Sequence, residues 1–357
     1  MSSPLSALSS CVDSKEPPRK RPRRESDSPH AQKLEETAWR RDERFWIADG
    51  NVVIVAQGVG FRVYKGWLSM QSDVFRDMFS IAQPVEKAFT QQDGSDGCPT
   101  VHVTDTALEI GSLLSVLLSG RQYMSRHKFT FTDLANCIRL ANKYVIPDLL
   151  EDCLRELKHY FPEDFDLWDG RLLCDPPSGA IQAVNLARLT NTPSILPAAL
   201  YSCCQLDGYA LQGCIRADGV VETLSSEDLS RCINGKAKLC TRLTRLVHHV
   251  FDDIEAQRCK RVEGYCNISV ASFKAHLLED GGLQYGRSDA LSSWSPYIVE
   301  QNNAKKGSAS DSACSPCVNA LCKRAKELRR ELWKELPELM GLPASDDVEL
   351  RPPDCVD

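Results

Sequence analysis

Between Phe45 and Pro84 the apolar residues change their spacing several times, and each change marks an element. Val52, Val53, Ile54 and Val55 form a continuous β-branched run, Gln57-Gly58-Val59-Gly60 turns the chain, and Phe61-Arg62-Val63-Tyr64 returns with apolar residues in alternation. The pattern predicts a hairpin whose first strand is buried on both faces. Trp67, Leu68, Val74, Phe75, Met78 and Phe79 follow at helical spacings, with Ser72 and Asp73 placed to cap a short helix at its start. Farther on, Thr100-Val101-His102-Val103 reads as a short strand. Ile110, Leu114, Leu117 and Leu118 share one helical face, and Leu134, Cys137, Ile138 and Ala141 mark another helix. A last helix of this part runs from Leu149 to Tyr160.

Asp169-Gly170 and Asp175-Pro176-Pro177-Ser178-Gly179 then break the chain. Beyond them, Ile181, Val184, Leu186, Ala187 and Leu189 open a mainly helical stretch that includes Ile195 to Cys204, a helix start at Ser225-Ser226-Glu227-Asp228, and Lys238 to Ile254. The last piece is Ala313 to Leu342. Leu321, Ala325, Leu328, Leu332 and Leu336 form an apolar stripe there, and Lys323, Arg324, Lys326, Arg329, Arg330 and Lys334 are expected on the exposed side, with Pro337 ending the helix. The stripe is expected to pack on the chain's own helices, with a partner-binding helix as the alternative.

The first part resembles the BTB/POZ domain, most closely the BTB proteins common in mushroom-forming (basidiomycete) fungi. Asp49-Gly50-Asn51 precedes the first strand; Phe61-Arg62-Val63-Tyr64-Lys65-Gly66-Trp67-Leu68 stands where the family has F-x-V-H-(K/R)-x-x-L; Ser72-Asp73-Val74-Phe75-Arg76-Asp77-Met78-Phe79 matches its S-x-V-F-x-x-M-F helix; and Lys143-Tyr144 with Val145-Ile146-Pro147 is similar to its K-Y-x-(I/V) hinge. Tyr64 occupies the usual histidine position and is expected to keep a buried ring with a polar tip. Trp333 with Leu336-Pro337-Glu338-Leu339-Met340-Gly341-Leu342 is similar to a closing motif of the same fungal proteins.

The resemblance implies an α+β chain: a BTB/POZ fold, with a small mixed sheet covered by helices, over residues 39–168, a linker over 169–179, and a mainly helical unit over 180–342, between tails at 1–38 and 343–357. It also implies a homodimer, with Trp39, Phe45, Trp46, Val52 and Trp67 near the contact surface. A two-sided apolar strand beside large aromatics needs a cover, which a symmetry mate can supply. The expected role is a non-enzymatic, protein-binding scaffold or adaptor. The alternatives are a substrate adaptor that binds a cullin of a ubiquitin ligase, and a transcriptional co-regulator without a DNA-binding module of its own.

Composition narrows this reading little. The 357 residues are 42% apolar and 26% charged, ordinary for a globular protein, and no run of about 18 apolar residues or N-terminal apolar leader is present. An intracellular protein, off the membrane, is expected. A net charge of −6 argues against general nucleic-acid binding. Within the Ser- and Pro-rich tail, Arg19, Lys20, Arg21, Arg23 and Arg24 form an extended basic cluster similar to a nuclear localisation signal, so the expected location is nucleus, cytoplasm or both; the plain alternative is a solvated charge run.

Of the 16 cysteines, Cys137 and Cys153 read as small buried hydrophobes. Cys314-x2-Cys317 with the more widely spaced Cys259 and Cys266 supplies four thiols, the number a structural tetrahedral zinc takes, with Cys322 as a substitute ligand; merely tolerated thiols are the alternative. No cofactor is otherwise required. There is no G-x4-G-K, H-E-x-x-H or G-x-S-x-G, and the adjacent pairs His248-His249 and Asp252-Asp253 diverge on a helix, so neither a small-molecule substrate nor catalysis is expected.

Overall fold

A computed structural model describes residues 39–81, 97–120, 129–170, 179–254, 259–260, 264–279, 288–304 and 312–343. The expected hairpin is present. Strand β2 (Val52–Ala56) pairs antiparallel with β3 (Val59–Val63), Val52 opposite Val63 and Ala56 opposite Val59. The turn between them places Gln57 (φ 46°) and Gly58 (φ 70°) in the left-handed region, the geometry that a two-residue hairpin turn demands. All five residues of β2 are buried, as a run without polar interruption requires.

Two strands flank the hairpin in a mixed sheet of order β1-β3-β2-β4. Strand β4 (Thr100–His102) runs parallel to β2. Strand β1 (Arg40–Trp46) was not foreseen. It lies parallel to β3, with Arg40 opposite Val59 and Trp46 opposite Arg62, and its register shifts where the Asp42 carboxylate accepts from the N–H groups of Arg44 and Phe45. The alternation expected in β3 does not expose Arg62: its Nε donates to the Gly50 carbonyl at 2.9 Å, which satisfies the group inside a fully buried strand.

Helices α1 (Lys65–Gln71) and α2 (Asp73–Ser80) follow, and the Ser72 hydroxyl accepts from the Phe75 N–H as the cap read from the sequence. Tyr64 departs from expectation. Its ring is partly exposed, and its hydroxyl donates to Asp49 at 2.6 Å, because the residue sits at the mouth of α1 rather than in the core. Helices α3 (Ala107–Ser119) and α4 (Phe131–Lys143) each begin in a capping box, Thr106 with Glu109 and Thr130 with Asp133. Helix α5 (Pro147–Tyr160) starts on a proline, which has no N–H to leave unsatisfied there.

Tyr144 of the K-Y pair is the hub of this layer. Its ring stacks on Phe75 with centroids 4.2 Å apart, its hydroxyl donates to Asp105, and its carbonyl accepts from the Ser72 hydroxyl. Lys143 reaches the same Asp105 carboxylate at 2.5 Å. Burial first, then that carboxylate, pushes the Tyr144 phenol far above its ordinary range, so it remains a hydrogen-bond donor.

The remaining described elements are mainly helical: α6 (Phe165–Gly170), α7 (Gly179–Leu189), α8 (Leu196–Cys204), α9 (Tyr209–Gln212), α10 (Ser226–Val250), α11 (Tyr265–Glu279), α12 (Ser295–Ala304) and α13 (Ser315–Leu339), with a short hairpin of β5 (Cys214–Ile215) and β6 (Val221–Glu222). Helix α13 packs against α8, α10 and α12, so its stripe of Leu321, Ala325, Leu332 and Leu336 faces the chain's own core. Two expectations about this helix are corrected. Pro337 lies inside it: the chain continues to Leu339 and stops where Gly341 takes a positive φ. Arg329, expected on the solvent side, is 2% exposed, because Asp169 and the Leu291 carbonyl meet its guanidinium at 2.7 and 2.9 Å.

The described residues from Trp39 onward form one compact unit, with a main core running from the sheet into the last helices. Polar contacts tie the two parts. Arg216 reaches Glu109 and Arg139 reaches Glu222 at 2.6 Å, while the Trp333 indole donates to the Glu163 carbonyl at 2.9 Å.

Candidate interaction surface and metal centre

The outer face of β2 explains the aromatics read as a contact surface. Val53 and Val55 point away from the main core and, with Cys98, are covered by Trp39 and Trp46, whose rings lie 5.8 Å apart. Trp39 lies so close over Gly60 that a Cβ there would stand 2.4 Å from the ring, so only glycine admits it. The second face of the strand is thus covered within the same chain, so its apolar side chains do not by themselves require a symmetry mate.

The five candidate interface residues separate accordingly. Val52 is 1% exposed and Phe45 is packed against Phe61; both belong to the chain's own interior, because their side chains turn to the main core. Trp39, Trp46 and Trp67 are half-buried and retain surface. Arg41 and Arg62 sit over the Trp46 ring, at 4.6 and 6.0 Å from its centre, which gives this corner a cationic rim around an aromatic floor.

The second constellation is sulfur. Cys314 is the N-cap of α13 and Cys317 its third residue, with Pro316 between them in the first turn. Cys266 lies in the first turn of α11, and Cys259 precedes it. The structure brings all four sequence-predicted ligands together: their sulfurs lie within 4.8 Å of one another. Cys259 stands 3.7 Å from Cys266 and 3.8 Å from Cys314. Cys322, the substitute, is outside this group.

Two buried or half-buried amides hold the cysteine-bearing turns. Asn302 donates to the Ala313 carbonyl and accepts from the Ala313 N–H, immediately before Cys314, and Asn267 accepts from the Ile254 N–H beside Cys266. The Cys314 N–H points at the Cys266 sulfur at 3.4 Å. Burial pushes the Cys266 and Cys317 thiols up, whereas Cys314, against the same burial, is drawn down to about 6 by the backbone N–H groups of Lys260 and Cys317 and by the neighbouring thiols.

A cleft of about 610 Å³ opens between α4, α5 and the helical part, lined by Phe131, Trp168, Gln182, Arg216 and Arg329 among others. No histidine lines it, and Arg216 and Arg329 are already paired with Glu109 and Asp169. Cys137 and Cys153 are fully buried, as read from the sequence. His249, in the last turn of α10, and Asp252, just beyond that helix, are both exposed. The basic cluster Arg19, Lys20, Arg21, Arg23 and Arg24 lies outside the described residues.

A small mixed sheet is joined here to paired short helices, with the K-Y hinge clasped to α2 through Phe75 and Ser72. The comparison with known families agrees: the BTB/POZ domain model matches residues 48–160, and this part of the chain is a BTB/POZ domain, followed by a mainly helical region. The chain therefore has a protein–protein interaction function. No curated protein matches it. The matched span does not reach residues 333–342 and does not support the expected fungal origin.

Proposed function

We propose that the protein is a homodimerising, non-enzymatic adaptor whose BTB/POZ domain pairs two copies while its helical region presents a second surface to a protein partner. The observation that carries the reading is the BTB/POZ domain bound to the helical region through Arg216–Glu109 and Arg139–Glu222. Such ties move the two parts as one body, which suits a scaffold that fixes the distance between partners. The half-buried rings of Trp39, Trp46 and Trp67 offer the aromatic surface for self-association.

Light scattering on the full chain at tens of micromolar tests the first half: the expected mass is twice that of the chain, and a stable monomer would remove the homodimer. Co-purification from cells distinguishes the adaptor classes, since recovery of a cullin identifies a ubiquitin-ligase adaptor and recovery of co-repressors a transcriptional co-regulator.

We propose that the basic cluster lets the protein enter the nucleus, so that it occupies nucleus, cytoplasm or both. Alanine at Arg19, Lys20, Arg21, Arg23 and Arg24 is expected to shift a fluorescent fusion of the full chain towards the cytoplasm. An unchanged distribution returns those residues to a solvated charge run.

A further inference from the structure

We infer that Cys259, Cys266, Cys314 and Cys317 bind one zinc ion as a closed structural site that fastens the start of α13 to the start of α11. The distances carry the inference. Four sulfurs at about 2.3 Å from a tetrahedral metal stand about 3.8 Å from one another, and Cys259 lies 3.7 Å from Cys266 and 3.8 Å from Cys314, with all four sulfurs within 4.8 Å. A disulfide requires about 2.05 Å, so neither of these pairs is at bonding distance. The arrangement converges on a single point rather than forming two bridges.

The surroundings suit thiolates. Cys314 and Cys317 occupy the N-terminus of α13 and Cys266 that of α11, so the positive ends of two helices face the sulfur cluster. Backbone N–H groups of Lys260, Cys314 and Cys317 point at sulfur. Asn302 and Asn267 fix the two turns through backbone hydrogen bonds outside the sulfur shell, the place where supporting partners of a metal site act. Soft ligands in a tetrahedral set select zinc or iron over magnesium or calcium, and four protein ligands leave no open position for catalysis.

The role follows from the chain path. Cys266 and Cys314 are 48 residues apart, and the segment between them contains α12 and the Leu291 carbonyl that receives Arg329. One ion closes that segment into a loop and anchors α13, the helix from which Arg329 reaches Asp169.

Elemental analysis of the full chain from zinc-supplemented cells should find about one zinc per chain. Cys314→Ser and Cys266→Ser should each lose it, whereas Cys322→Ser and Cys240→Ser should keep it. Should the serine variants fail to fold, cobalt(II) exchanged into the natural protein gives the second measurement: tetrahedral d–d bands with sulfur-to-cobalt charge transfer are expected. Fewer than about 0.2 zinc per chain, where an intact structural site is stoichiometric, full zinc retention in Cys314→Ser, a cobalt spectrum without sulfur charge transfer, or a tetrathiolate iron spectrum in the purified protein would each overturn the assignment.

Discussion

Replacing Asp169 with alanine is expected to cost about 3–5 kcal/mol of unfolding free energy, the range seen when one partner of a buried ion pair is removed. The reason is Arg329. Its side chain is only 3% exposed, it reaches Asp169 at 2.7 Å, and the Leu291 carbonyl that remains after the substitution carries no charge. Arg329→Met should cost less, because Asp169 keeps Lys326 at 3.2 Å and a thioether replaces the buried cation. The double variant Asp169→Leu with Arg329→Met should recover much of the loss, since replacing both partners by apolar groups removes the uncompensated charge.

The pair also sets an acid limit. Burial raises the Asp169 carboxyl, but the hydrogen bond and charge of Arg329 outweigh it and hold the group below the ordinary value. A carboxyl depressed in the folded state contributes stability that is complete above its unfolded pKa of about 3.9 and is lost as pH falls through the folded value. Asp228, drawn down against its own burial by Arg188 at 2.6 Å, acts in the same window. Urea unfolding followed from pH 7 to pH 2 should therefore show stability falling below about pH 4, with a shallower fall in Asp169→Ala. A loss under about 1 kcal/mol for Asp169→Ala at pH 7, no more than an exposed pair contributes, would mean that the pair is solvated in solution.

These contacts also mark where sequence reading stops. The hairpin of β2 and β3 and the Ser72 cap depend on residues a few positions apart, and their pattern was legible. Strand β1 was not: Arg40, Arg41, Asp42, Glu43 and Arg44 have no apolar alternation, and the strand is held by backbone pairing with β3, which composition does not encode. Arg329 misled for a related reason. On a helical wheel it joins the basic face, and only a carboxylate 160 residues earlier in the chain turns it inward. Tyr64 was placed by its motif position, but its accessibility is set by the mouth of α1, where Asp49 offers an exposed acceptor.

The cysteines divide in the same manner. A C-x2-C at the start of a helix announces two converging sulfurs by local geometry. The approach of Cys259 and Cys266 depends on how α11 packs against its neighbours, which spacing alone left open. The tryptophans show the reverse case: their presence was evident, but their duty as the lid over Val53 and Val55 follows from β1 docking in place, an element that the pattern did not reveal.

Phe75→Ala is expected to be as damaging as loss of Asp169, by cavity formation rather than by charge. Phe75 is 1% exposed and stacks between Phe79, at 5.8 Å, and Tyr144, at 4.2 Å. Truncating a buried phenylalanine to alanine costs about 3–5 kcal/mol, in proportion to the space that neighbours fail to refill. Refilling is hard here. Tyr144 is fixed from three directions, by Asp105 at its hydroxyl, by Ser72 at its carbonyl and by the positive φ of Val145 that follows it. Phe75→Leu keeps most of the volume and should lose mainly the aromatic stacking, about 0.5–1.5 kcal/mol. Tyr144→Phe leaves the stack intact but strips Asp105 of one donor, with about 1–3 kcal/mol at stake and Lys143 still in place to limit it. Combining Phe75→Leu with Tyr144→Phe should be close to additive, because one change acts on the ring face and the other on the hydroxyl. Chemical denaturation of the four variants measures all of these terms, and a Phe75→Ala cost below that of Tyr144→Phe would show that the helix bearing Phe75 is not seated on the K-Y hinge.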